Sequence, residues 1–302
     1  MTPPARQAGS WEHVADWYEA LAGAGGTEFH QQVIIPGLLR LLQLKPGEKV
    51  CDLACGQGAV TTALAGTGAQ VTGVDLSPRL IELARKRSPK SVRYVIADAR
   101  NVSALQCGTF DAVTCVLAAM NIDPVGPLFA EMARLLRPQS PLPPGEGQSL
   151  PRTGSGGEGH NSHVEGPDGQ ARIGHRRGSG QPLARAVVVI LHPAFRIPRQ
   201  SRWKWDEGRK LLIRETDRYL GPLKVPIDMR PFNRPGESLT ATYHRPIQTY
   251  VNGLTSNGLW VSALEEWPSH RKSQPGPRAK AEDRARDEFP LFMAIRATKV
   301  MP

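Results

Sequence analysis

Three aspartates and two glycines carry the chemistry most legible in this chain. Asp52 closes the apolar run KVCDLAC, Asp75 closes AQVTGVDLS, and Asp98 closes VRYVIADA. Directly after the first run comes Cys55-Gly56-Gln57-Gly58. A main chain without Cβ atoms at Gly56 and Gly58 lets a ligand lie against the backbone. Ionised carboxylates accept hydrogen bonds from paired hydroxyls and amines. The combination reads as a site for a nucleotide-type ligand. A dinucleotide fingerprint needs a third glycine, yet Gly58 is followed by Ala59, Val60 and Thr61. A phosphate loop needs a Lys after its last glycine, and none follows.

These residues need elements to place them. KVCDLAC reads as a strand and AVTTALAGTG as a helix ending at a glycine. AQVTGVDLS is a strand, and SPRLIELARKRS is a helix with Ser77 as N-cap and Pro78 in its first turn. VRYVIADA and FDAVTCVLAAM read as strands, and PLFAEMARLLRP as a helix with apolar residues at helical spacing. RAVVVILHP is a continuous apolar strand of the kind buried on both faces. This alternation predicts an α/β fold with a doubly wound, mostly parallel sheet and right-handed crossovers. Ligands on such sheets bind at the carboxyl ends of the strands, where the three aspartates stand.

The segment 138–184 differs from its surroundings. It holds 11 Gly and seven Pro in 47 residues, with no aromatic residue. Such a composition buries too little apolar surface to offset its ordering entropy, so it reads as a disordered insertion. It interrupts one helix-to-strand connection inside a single domain made of 1–137 and 185–302. Its His-x-x-His, His160 and His163, is a weak metal signal, and no metal is expected. Cys51, Cys55, Cys107 and Cys115 form no CxxC, as expected for reduced thiols in a cytoplasmic protein. No transmembrane run or signal peptide is legible. The net charge is +10, and residues 185–302 hold 21 Lys and Arg against 12 Asp and Glu. That excess points to an anionic substrate or polyanion, with a solvated basic surface as the plainer reading.

The set D-L-A-C-G-Q-G, V-D-L-S, A-D-A and F-D-A-V, in this order, resembles class I S-adenosylmethionine-dependent methyltransferases that act on small molecules, of the type 11 kind. The resemblance is close from Val50 to Pro138 and resumes after the insertion. It implies a Rossmann-like, seven-stranded sheet with a cap after strand 5, at about 195–245, and S-adenosyl-L-methionine as cofactor. It implies that Gly56 and Gly58 give the cofactor room, with Ala54 where the family has glycine and Cys55 between them. Asp52 would help position the amino-acid end, Asp75 the ribose hydroxyls and Asp98 the adenine amino group. Ala99 would donate to the ring, Leu76 would pack on it, and Tyr18, in the N-terminal lead-in, would contact the carboxylate.

After strand 5 the cap offers Trp203, Trp205, Tyr219 and Tyr243 among several arginines. Aromatic and cationic lining suits a flat or acidic organic acceptor, with Arg196, Trp203 and Tyr243 as substrate contacts. PIQTYVNGLTSNG reads as a helix, and LWVSALEEW and FPLFMAIRATKV as the last two strands. The place after the fourth strand reads A-A-M-N-I-D-P, without the [DN]-P-P-[YF] of enzymes that methylate adenine in nucleic acid. A small-molecule acceptor is therefore expected over RNA, and a cofactor-binding protein without catalysis is the third reading. Oligomeric state is not legible. If the acceptor needs a base, His192 at the end of the fifth strand and His244 in the Y-H-R-P element are the first choices, and His30 the third.

Overall fold

Strands β1 (Lys49–Leu53), β2 (Gln70–Asp75), β3 (Arg93–Ile96), β4 (Ala112–Val116) and β5 (Arg185–Leu191) run parallel. In this computed structural model two antiparallel strands, β10 (Leu259–Trp267) and β11 (Phe292–Lys299), complete one seven-stranded sheet in the order β10-β11-β5-β4-β1-β2-β3. The structure describes residues 11–12, 23, 25–138, 183–228 and 239–300. The described residues all fall in one compact unit. The expected disorder of 138–184 falls almost wholly outside the described residues, as does Tyr18.

The chain reverses direction across the sheet between β1 and β4, the switch point at which open α/β sheets bind ligands. Helices cover both faces. On one, α1 (Ile35–Leu42), entered through a π turn at His30–Ile34, and α2 (Ala59–Ala65) bury Leu38, Leu41, Leu42, Val60 and Leu64. On the other, α4 (Gly126–Leu135) and α5 (Ile247–Thr255) bury Leu128, Phe129, Met132, Leu135, Tyr250 and Leu254. Helix α3 (Pro78–Arg87) begins as its sequence requires: the Ser77 hydroxyl accepts the Leu80 N–H at 3.1 Å, and Pro78 stands in the first turn. Strand β5 is buried on both faces, in keeping with its unbroken apolar run.

The cap is two separate hairpins, β6–β7 (Ser201–Asp206 and Leu211–Thr216) and β8–β9 (Leu223–Asp228 and Leu239–His244). A helix that the sequence reading passes over, α6 (Ala279–Glu288), joins β10 to β11. It is charged almost throughout and buries only Ala285, so it carries no apolar stripe to find. Strand β3 stops at Ile96, which leaves Asp98 in the loop beyond it.

Candidate functional site

A cavity of about 280 Å³ opens at the carboxyl edge of the sheet. Asp52, Ala54, Cys55, Gly56, Asp75, Leu76, Asp98 and Ala99 all line it, so the strand-tip residues singled out in the sequence converge on one place. Gly58 stands just behind, at the cap of α2.

Each carboxylate has a different setting. Asp75 is buried; its Oδ2 accepts the Gly56 N–H at 2.8 Å and its Oδ1 the Ser77 N–H at 2.9 Å. Burial holds its carboxyl above the ordinary range against these donors. Asp52 lies deeper, 1% exposed, and accepts from the hydroxyls of Thr61 at 2.7 Å and Thr114 at 2.8 Å. Desolvation pushes its carboxyl up to about 6, with the Thr hydroxyls opposing. Asp98 is half-buried and held by Arg100, whose Nε reaches both carboxylate oxygens at 3.0 Å. Burial would raise it, but the guanidinium outweighs burial and holds it below the usual range.

The loop that joins these groups is bent by left-handed residues. Gly56 has φ +56° and Gly58 φ +85°. A Cβ on Gly56 would meet nothing within 4 Å, so open cavity lies directly against the backbone there. A Cβ on Gly58 would meet Tyr94 Oη at 2.6 Å. Ala54 and Leu117 also line the cavity with positive φ, 54° and 53°, conformations that cost a non-glycine residue free energy and concentrate at functional sites.

Several residues in or beside the lining escaped the sequence reading of the cofactor pocket, among them Trp11, Asn121 and Asp123. Trp11 packs against Leu80 and Leu83, and Glu12 beside it accepts from the Ser77 hydroxyl and, at 3.3 Å, from the Arg79 N–H. Asn121 and Asp123 come from the loop after β4. The Y-H-R-P element provides the link: Arg245 donates to Asp123 Oδ1 at 2.7 Å and to the Ile122 carbonyl at 2.8 Å, and Tyr243 lines the cavity with Arg245 5.2 Å from its ring. His30, the third choice as a base, is in the lining.

The first-choice bases are placed outside the cavity lining. His192 is 1% exposed and absent from the lining; its Nδ1 accepts the Ala194 N–H at 3.2 Å and its Nε2 meets Glu266 at 2.6 Å. Burial lowers its pKa, so it is neutral with its proton on Nε2 and no lone pair to spare. His244 is buried with Nε2 on the Tyr219 carbonyl at 2.6 Å, where it can only donate. Arg196 and Trp203 also lie outside the lining; Trp203 packs on Phe289 and under Arg214. Several basic residues of the C-terminal third sit in surface ion pairs, among them Arg202 and Lys204 with Glu215, Lys210 and Arg278 with Glu207, and Lys272 with Asp287. Cys115 is fully buried in the core. Among the described residues no group of three His, Cys, Asp or Glu could hold a metal, and no helix is long and apolar enough to cross a membrane.

The pocket suits a nucleoside with a cationic tail. It offers buried carboxylate acceptors, open space over a bare loop and, among the described lining, no cation outside an ion pair to bind a phosphate. Comparison with known proteins agrees. Residues 51–142 match the family model of a methyltransferase domain. The ubiquinone biosynthesis O-methyltransferase of Thiobacillus denitrificans is 39% identical over 95 residues, 30% of this chain and 41% of that protein. That of Xanthomonas campestris pv. campestris is 40% identical over 101 residues, 32% and 42% of the two. The chain thus spans about two fifths of the length of these relatives. In fold, an S-adenosylmethionine-dependent methyltransferase from Mesorhizobium loti superposes with a TM-score of 0.57 at 22% identity, covering 87% of this chain and 96% of the other.

Proposed function

We propose that this chain, whose residues 51–142 match a methyltransferase domain, transfers a methyl group from S-adenosylmethionine to a small organic acceptor. The observation that carries this reading is Asp75. Two backbone N–H groups hold its carboxylate in the cavity wall, beside the open space over Gly56. There it would accept from the two ribose hydroxyls, while Leu76, Ala99 and Asp98 border the adenine and Asp52 lies under the amino-acid end.

When bound, S-adenosylmethionine supplies a methyl group already activated by its sulfonium. What remains for the protein is to align the acceptor and exclude water. Asn121, Ile122, Leu117 and Tyr243 form the side of the cavity left for an acceptor. Arg100 is committed to Asp98, and Arg245 to Asp123. The described lining therefore favours a neutral acceptor over the anionic one that the net charge implies. The relatives' O-methyltransferase names favour a hydroxyl.

Calorimetry with S-adenosylmethionine on wild type and Asp75→Ala tests the reading. Wild type should bind, and the variant should lose at least about tenfold in affinity, as expected for hydrogen bonds to a charged acceptor. Incubation with labelled cofactor and a panel of phenols, alcohols, amines and carboxylates, read by product mass, identifies the acceptor.

A further inference from the structure

We propose that His30 is the hydrogen-bond donor for the α-carboxylate of the cofactor, a role that rests on reading the cavity as an S-adenosylmethionine site. His30 is 7% exposed and lines the cavity. Its Nδ1 accepts the Thr27 N–H at 3.2 Å and lies 2.9 Å from the Thr27 hydroxyl, while the His30 N–H donates to the Thr27 carbonyl at 2.9 Å. The ring thus reaches back to the backbone N–H three residues before it, as the Glu or Gln of a capping box does. This contact fixes the tautomer: with Nδ1 accepting, Nε2 carries the hydrogen. Burial lowers the pKa and keeps the ring neutral. Among the described residues no hydrogen bond engages Nε2, and the residue lines the cavity, so this N–H is left for a ligand.

Its place selects the carboxylate. The turn before His30 lies against the glycine loop: Gln57 Nε2 donates to the Gly23 carbonyl at 2.7 Å, and a Cβ on Gly26 would touch both the His30 ring, at 2.8 Å, and Ala59, at 3.2 Å. His30 thus stands at the Gly56–Ala59 end of the cavity, away from Asp98 and Ala99. The amino-acid end of the cofactor has two charges to satisfy. Asp52 suits the ammonium, and Arg100, the only guanidinium of the described lining, is held at the other end by Asp98. The fixed Nε2–H of His30 suits the carboxylate. The same tautomer removes His30 as a general base, because Nε2 has no lone pair with which to take a proton.

The test is calorimetry with three ligands: S-adenosylmethionine, S-adenosylhomocysteine and 5′-methylthioadenosine, which lacks the amino acid. For His30→Ala we expect the first two to weaken by about tenfold or more and the third to stay within about twofold, the pattern of one lost hydrogen bond to a charged group. His30→Gln keeps a side chain able to accept the Thr27 N–H and an N–H donor, and should recover most of the loss. Equal weakening of all three ligands overturns the proposal in favour of a structural role. Unchanged S-adenosylmethionine affinity with a raised acceptor KM overturns it in favour of an acceptor contact. If wild type binds none of the three, the cofactor reading itself fails and the proposal with it.

Discussion

Asp75 Oδ2 accepts the Gly56 N–H at 2.8 Å, so the carboxylate at the tip of β2 sets the path of the loop at the tip of β1. Gly56 and Gly58 are two residues apart in that loop and both have positive φ, yet they do different work. Gly56→Ala should cost only about 1 kcal/mol of backbone strain in stability, but place a methyl group in the ligand's space and weaken S-adenosylmethionine about tenfold or more. Gly58→Ala pushes its Cβ against Tyr94 Oη and Ala84. It should lose about 2–4 kcal/mol from strain and overpacking together. Thermal melts beside calorimetry separate the two; equal effects on both readouts in both variants would contradict this division.

Asp52 is expected to make cofactor affinity pH-dependent. Its carboxyl titrates at about 6 in the folded protein, above the ordinary 3.8. Between these values the folded state keeps a proton that the unfolded state has lost, so Asp52 makes folding less favourable as pH rises through this window. A cation bound nearby favours the ionised form. S-adenosylmethionine affinity should therefore fall as pH drops below about 6, while 5′-methylthioadenosine, which carries no charge there, stays level. Asp52→Asn should flatten the S-adenosylmethionine profile; an unaltered pH slope in that variant would count against the assignment.

His192 is expected to act in the fold and not in proton transfer. His192→Ala removes a buried ring that bridges Glu266 and the Ala194 N–H and stacks on Phe195. A stability loss of about 1–3 kcal/mol is expected, with S-adenosylmethionine affinity unchanged. Turnover of the acceptor found by the screen should change by less than about tenfold. A fall of several hundredfold in kcat with normal folding would restore His192 as the base.

Arg245 couples the cap to the pocket. It ties β9 to the loop after β4 through Asp123 and the Ile122 carbonyl. Arg245→Ala should cost about 2–3 kcal/mol of stability, because a charge-assisted pair and a buried carbonyl lose their donor. The acceptor KM should rise while cofactor affinity holds. Arg245→Lys, without the planar fork, should recover only part of both.

The sequence made the sheet legible because β1, β2 and β4 are apolar runs followed by helical spacing, because β5 is an unbroken apolar run, and because Ser77 and the loop glycines mark where elements begin and turn. The same pattern revealed Asp52, Asp75 and Asp98, since strand tips are fixed by strand ends. The partners of His192 were not legible: Glu266 is 74 positions away and meets it only after β10 folds beside β11. Arg245 and Asp123 are likewise joined across 122 positions. Histidine beside a strand end looks the same in sequence whether its ring meets a ligand or a carboxylate. Helix α6 stayed hidden because it is amphipathic only through a single alanine.

The two ends of the excursion around Ser140–Pro182 come to rest on consecutive residues. Leu136 bridges Phe110, and the Arg185 N–H bonds the carbonyl of Asp111. Each stub is pinned again, Leu136 by Lys299 Nζ at 2.7 Å and Arg185 by Glu48 at 2.6 Å. Departure and return are therefore neighbouring stitches in the same seam. A splice of a few residues would join them without unpicking the fabric on either side.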